Sequence, residues 1–287
     1  MDRALAPTAH REVLRRFLDE DIGRGDVTTL SVVPPDCQAA GDFVAKMPLV
    51  LGGIGVAIEV LRLLDEDVAA DVRHQDGESV EAGERLASVR GRARALLTGE
   101  RVATNLLQRM SGIATLTRAF VDAVRGTKAK IFDTRKTTPG LRVFEKYAVA
   151  AGGGMNHRFG LDDAILIKDN HIRIAGGVAP AIRAASSAGS SVQEVEVEVT
   201  DLVELQQALA FGVRAVLLDN MTVETVRKAV TLVRAQPGGR EIIVEVSGGI
   251  TLTNVRGFAE AGADWISIGA LTHSAPAVDV SFEIQSA

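Results

Sequence analysis

A single cysteine, Cys37, stands in a chain of 287 residues. That excludes an intrachain disulfide and any zinc cluster built on cysteines. It also suits a reducing compartment, and the expectation is a cytoplasmic protein. Long apolar runs are missing too. The most apolar stretch, Met47 to Ile58, is too short to span a bilayer and ends at Glu59. The first residues, through Glu20 and Asp21, are polar and charged and carry no signal segment. A basic surplus is lacking: 32 Lys and Arg face 37 Asp and Glu, for a net charge of −5. An extended nucleic-acid surface needs the opposite balance, so neither nucleic acid nor membrane is an expected partner. The chain has no GxxxxGK loop followed by Ser or Thr, no HExxH, no Cys-x-x-Cys and no GxGxxG after a strand. Gly152-Gly153-Gly154 follows a helical pattern, and reads as its end rather than as a nucleotide cradle. Repeats, low-complexity tracts and long linkers are absent as well.

What is present is ordinary in bulk and uneven in detail. A hydrophobic fraction of 46% with 24% charged residues describes a globular chain able to bury a large core. Between Ile131 and Arg173 seven Lys and Arg meet five Asp and Glu, so this window is +2 and the remainder −7. A cationic island in an acidic protein suits a small anionic ligand.

Periodicity divides the chain. Residues 8–19 read as an amphipathic helix, and Gly23 to Thr29 as a loop. Strands are expected near 38–46, 67–74 and 85–90, a helix near 54–64, and a longer helix from about Ala95. Beyond it, apolar β-type runs at 129–133, 164–167, 192–199, 213–218, 241–246 and 265–269 alternate with helical patterns at 202–210, 223–233 and 252–261. Such alternation means parallel βα units. Each of the six strands ends in polar residues or glycine, where a βα barrel keeps its chemistry.

Those strand ends supply the candidates. Ser247-Gly248-Gly249 and Ile268-Gly269-Ala270 are glycine-bearing turns of the kind that let backbone N–H groups approach phosphate. Glu196 and Glu198 alternate with valines and share one strand face. For Glu196 a solvated edge strand is an equal reading. Glu198, with Asp219 on the next strand, suits Mg²⁺ and ribose hydroxyls. Arg135, Lys136, His157, Arg158 and Lys168 follow strands and would grip carboxylates and phosphates. Lys168 alone would also suit a Schiff-base aldolase, and the whole set a ligand sensor without catalysis. So many anion-binding groups beside two phosphate turns favour neither.

The wording of the chain is then familiar. Phe132-Asp133-Thr134-Arg135-Lys136-Thr137-Thr138-Pro139-Gly140-Leu141-Arg142 resembles a signature of the quinolinate phosphoribosyltransferase family. So do Gly152 to Leu161, Ile165 to His171, Glu196 to Val199, Leu218 to Met221, Ser247 to Ile250 and Gly269 to Ser274. Upstream, Gly25 to Thr29 and Glu100 to Thr115 match in the same order. Phe132 departs, standing where the family usually has an aliphatic residue, and Gly99 stands where alanine is common.

The resemblance implies an α/β protein with an N-terminal α/β sandwich over residues 1–112. A C-terminal incomplete α/β barrel of six to seven strands would follow over 113–275, and a tail at 276–287 would return to the first domain. It implies transfer of phosphoribose from phosphoribosyl pyrophosphate to quinolinate with decarboxylation, giving nicotinate mononucleotide for NAD synthesis. Mg²⁺ is the implied cofactor, held directly or indirectly by Glu198 and Asp219. Quinolinate would be bound by Thr134, Arg135, Lys136, His157, Arg158 and Lys168, joined by Arg101 from the partner in a homodimer. Ser247, Gly248, Gly249, Ile268, Gly269, Ala270 and His273 would hold phosphate. Lys136, Lys168, Glu198 and Asp219 would carry the catalysis.

Overall fold

The computed structural model describes residues 6–187 and 195–285. They form two compact units. The first comprises the chain up to Arg118, the segment Thr137–Gly153 and the residues from Ala270 onward. Its sheet runs β12-β1-β5-β3, from strands β1 (Gln38–Ala45), β3 (Ala69–Val72), β5 (Arg85–Arg92) and β12 (Val280–Gln285). All three pairings are antiparallel. The chain's last strand is therefore a neighbour of its first, with Phe43 opposite Phe282 and their ring centroids 4.7 Å apart. A second ribbon pairs β2 (Leu49–Val50) with β4 (Ser79–Val80).

Helix α1 (Arg11–Ile22) buries Leu14 and Leu18 on one stripe, as an amphipathic helix should. Helix α3 (Ile54–Leu64) buries seven of its eleven residues. The long helix α4 (Ala93–Ala123) begins in this unit and leads into the next. At Gly99 a Cβ would come within 2.9 Å of Leu61 Cδ2, so glycine there admits α3 rather than merely loosening α4. Residues 23–29 are not all loop. Asp26 accepts a hydrogen bond from Thr29 N and caps α2 (Val27–Val32). A helix of six residues offers too few periodic positions to be seen in a sequence.

Helix α5 (Arg142–Ala151) stops at the three glycines, with Gly153 at φ 91°. A Cβ on Gly152 would meet Ala114 O at 2.5 Å. Glu145 at the start of α5 is fully buried and holds this unit's loop in place. It takes 2.8 Å hydrogen bonds from Arg109 and from Thr138 Oγ1, and one of 3.0 Å from Thr138 N.

The second unit contains residues 119–136 and Gly154–Gly269. Six parallel strands lie in the order β6-β11-β10-β9-β8-β7. They are β6 (Lys130–Phe132), β7 (Ile165–Ile167), β8 (Val195–Val199), β9 (Ala215–Asp219), β10 (Ile243–Ser247) and β11 (Trp265–Ser267). A parallel bridge from Phe132 to Met155 adds one residue pair beyond β6. The architecture is an incomplete α/β barrel, covered by α7 (Val178–Ser187), α8 (Leu202–Leu209), α9 (Val223–Arg234) and α10 (Val255–Glu260). Part of the run expected at 192–199 falls outside the described residues; the strand is described from Val195. Every residue of β8 is buried, so Glu196 and Glu198 are not solvated edge glutamates. β8 lies between β7 and β9, and sheets covered on both faces bury both side-chain sets. Among the described residues no helix is long and apolar enough to cross a membrane.

Candidate active site

Register sets the site. Parallel pairing aligns Asp219 with Ser247, Ser247 with Ser267, and Ser267 with Phe132. The residues just past these positions therefore emerge along one edge of the second unit, the carboxyl ends of its strands. Lys168 follows β7 directly and is the N-cap of α6 (Asp169–Ala175), with its own N–H donated to His171 Nδ1 at 2.9 Å.

Four charged side chains share this edge. Lys168 Nζ donates to Glu198 Oε2 at 2.7 Å, and the Asp169 N–H approaches Glu198 Oε1 at 3.5 Å. Burial raises the Asp219 carboxyl above its ordinary value, and the charge of Glu198 adds to that; Asn220, Lys168 and Lys136 pull the other way. Two carboxylates thus stand close enough to repel, with two ammonium groups within electrostatic reach. A divalent cation with oxygen ligands would relieve that repulsion, so Glu198 and Asp219 fit Mg²⁺. Thr134 Oγ1 accepts the Lys136 N–H at 3.1 Å, which shapes the backbone between them.

The turns beside them are built for close approach. Gly248 has φ 91°, and a Cβ there would lie 2.3 Å from Asn220 Oδ1. Asn220 is itself in the left-handed region at φ 53°, and donates its N–H to Ser247 O and its side-chain amide to Asp219 Oδ2. Gly249, at φ 63°, accepts from Asn254 Nδ2. The turn after β11 is tied to β6 by the Ile268 N–H on Phe132 O.

His157 and Arg158 belong to the same unit but have different surroundings. His157 N–H donates to the buried Asp133 Oδ1 at 2.8 Å, and the Arg158 N–H donates to His157 Nδ1 at 2.8 Å. His157 Nε2 lies 3.3 Å from Glu196 and 3.2 Å from Glu245. By distance alone this trio could hold a metal, since its ligand atoms lie within 4.8 Å of one another. The Arg158 N–H at Nδ1 decides otherwise: it leaves the ring proton on Nε2, facing the carboxylates as a donor. Burial opposes charge on His157 and the two carboxylates favour it, but the Arg158 N–H donated to Nδ1 leaves no room there for a second ring proton. Burial and the neighbouring Glu245 push Glu196 up to about 7.

Arg158 Nη1 donates to Ala164 O at 3.0 Å. Burial lowers its pKa, and the positive charge of Arg135 lowers it further, so the two guanidinium groups share one region. A cavity of about 230 Å³ adjoins His157 and Arg158, walled by Phe132 and Trp265 and reaching the first residues of β8, β9 and β10. The Phe132 and Trp265 ring centroids are 4.6 Å apart, which accounts for an aromatic residue at position 132.

The second unit therefore gathers Thr134 to Lys136, His157, Arg158, Lys168, Glu198, Asp219, Ser247 to Gly249, Ile268 and Gly269. Arg101, Ala270 and His273 belong to the first unit. Arg101 is exposed on α4, 3.7 Å from Glu100, and His273 Nδ1 lies 2.6 Å from Ser274 Oγ. Glu245, absent from the sequence expectations, is the main addition. Its alternation with valines in β10 matches that of Glu196 in β8 and was its one available signal.

Comparison with known proteins identifies the family. The model of the quinolinate phosphoribosyl transferase N-terminal domain matches residues 26–111, and that of the C-terminal domain residues 113–283. A probable nicotinate-nucleotide pyrophosphorylase (carboxylating) of Bacillus subtilis is 44% identical, over 96% of this chain and 93% of its own. The nicotinate-nucleotide pyrophosphorylase (carboxylating) of Mycobacterium leprae is also 44% identical, over 96% and 97%. The crystal structure of NadC from Streptococcus pyogenes superposes with a TM-score of 0.93 at 40% identity, over the full length of both chains. The chain belongs to the quinolinate phosphoribosyltransferase family.

Proposed function

We propose that this protein transfers phosphoribose from phosphoribosyl pyrophosphate to the ring nitrogen of quinolinate and releases CO₂, giving nicotinate mononucleotide and pyrophosphate. The observation that carries the reading is the Lys168–Glu198–Asp219–Lys136 group at the strand ends, beside the turn at Gly248. Two ammonium groups suit the departing pyrophosphate, and two carboxylates suit the positive charge left on the ribose.

In the first step the N–C1′ bond forms as the C1′–O bond to pyrophosphate breaks, and the bonding pair leaves with pyrophosphate. The ring nitrogen then bears positive charge. The C2–carboxylate bond breaks next; its electron pair stays on C2, stabilised by the adjacent N⁺, and a proton replaces CO₂. Lys136 and Lys168 hold pyrophosphate oxygens, and Glu198 and Asp219 face the ribose. Mg²⁺, held by those carboxylates directly or through water, would supply further charge neutralisation on the pyrophosphate. Arg135 and Arg158, with Thr134 and His157 beside them, orient the quinolinate carboxylates. Ser247 to Gly249 and Ile268 to Ala270, with His273, take the 5′-phosphate. Arg101, exposed in its own chain, would act in the partner's site of a homodimer. The cytoplasm is the proposed location.

The test is quinolinate-dependent CO₂ release with phosphoribosyl pyrophosphate and Mg²⁺, run beside nicotinate. Formation of nicotinate mononucleotide and CO₂ from quinolinate is the expected result. No product from quinolinate would overturn the reading.

A further inference from the structure

We infer that Glu245 is a positioning residue that fixes Arg158 through the imidazole of His157. The inference rests on the reading above, in which Arg158 holds a quinolinate carboxylate. Glu245 is fully buried in the middle of β10, between Val244 and Val246, with Leu217 and Trp265 as its register neighbours. A carboxylate in such surroundings is costly unless it is hydrogen-bonded. Its Oε2 meets His157 Nε2 at 3.2 Å, and the carboxyl also hydrogen-bonds Glu196.

The consequence passes along the ring. With the proton on Nε2 directed at Glu245 and Glu196, Nδ1 is bare and accepts the Arg158 N–H at 2.8 Å. The His157 N–H is fixed at the same time on Asp133 Oδ1, beyond the end of β6. The backbone on both sides of the His157–Arg158 peptide is thereby tied to the barrel. The guanidinium leaves from that fixed point, donates to Ala164 O, and faces the region of Arg135. A proton on Nδ1 instead would set two N–H groups against each other and release Arg158. Glu245 selects against that tautomer from inside the core, where it has no exposed surface to offer a substrate. Glu196 shares the contact, but it also lines the cavity beside Arg158, so Glu245 is the cleaner probe.

The experiment measures quinolinate and phosphoribosyl pyrophosphate kinetics for the full-length protein and for Glu245→Leu and Glu245→Gln. Leucine should raise the quinolinate KM about tenfold or more, with the KM for phosphoribosyl pyrophosphate held within about twofold. Glutamine should restore most of the loss, because its carbonyl accepts the same Nε2 proton. An unchanged quinolinate KM in the leucine variant, a parallel rise in both KM values, or a glutamine variant as poor as leucine would each overturn the inference. A second measurement does not depend on either variant folding. Imidazole ¹⁵N spectra of the unaltered protein should show His157 protonated on Nε2 and bare on Nδ1; the reverse tautomer, or a ring protonated on both nitrogens, refutes the proposal. Absence of any turnover in the unaltered protein would count against the proposed reaction, while the spectra would still decide the tautomer.

Discussion

Arg135 and Lys168 carry similar charge, yet the structure gives them different work. Lys168 is committed to Glu198 at 2.7 Å, and its ammonium compensates a carboxylate that is itself almost wholly buried. Arg135 shares its region with Arg158, a pairing of like charges that favours an anion between them. Arg135→Ala should therefore raise the quinolinate KM about 10- to 100-fold, the cost of a lost charged hydrogen bond, and leave phosphoribosyl pyrophosphate little affected. Equal losses for both substrates, measured by steady-state kinetics, would remove its assigned role. Lys168→Met should act on the group as a whole: turnover falls for every substrate concentration. Folding stability falls as well, by about 1–2 kcal/mol after allowance for the half-exposed ammonium. Thermal unfolding beside kinetics separates the two effects.

At the scale of the element, the turn after β10 illustrates how a motif becomes geometry. A methyl group at position 248 has to fit a left-handed backbone and lie 2.3 Å from Asn220 Oδ1. Gly248→Ala should cost about 1–3 kcal/mol of local strain and appear mainly as a higher KM for phosphoribosyl pyrophosphate. A substitution that raised only the quinolinate KM would displace the turn from its phosphate role. The helix α2 offers a smaller test, since Asp26→Ala removes its cap and should lower stability by about 1 kcal/mol in chemical denaturation. These two elements also show what a sequence can and cannot display. The parallel strands were legible because short β-type runs closed by polar residues recur, valines alternating with glutamates in β8 and β10 and an apolar run ending at Asp219 in β9. Helix α2 was hidden by being only six residues long, with β-branched residues at Val27, Thr28 and Thr29 that favour extended backbone. Glu245 was hidden for another reason. Its partner His157 is 88 residues away, and alternation along β10 shows which face Glu245 occupies without showing what it meets.

For the molecule as a whole, two consequences follow from burying carboxylates inside a barrel. The first is a pH dependence of folding. Glu196 is held at about 7, above its ordinary value of 4.5, by burial and by Glu245, so folding takes up a proton there. Its contribution is complete below about pH 4.5 and disappears as the pH rises through 7, on the order of 3 kcal/mol at most. The melting temperature should fall between pH 5 and 8, and Glu196→Gln should flatten that limb; an unchanged slope would place the titration elsewhere. The second concerns assembly. Arg101 is exposed on α4 beside Glu100, and the proposed function assigns it to the partner's site in a homodimer. Arg101→Ala and Lys168→Ala chains should each be inactive alone. Mixed after reversible dissociation, half of the dimers combine one chain of each kind, and each such dimer has one complete site. Activity should then recover to about a quarter of the unaltered level. Each mixed dimer uses the intact Arg101 of one chain and the intact Lys168 of the other, an arrangement neither parent can supply. Size-exclusion chromatography with two tags would confirm that mixed dimers had formed. Their formation without recovered turnover would mean that Arg101 serves its own chain or none, and that the site is complete within one subunit.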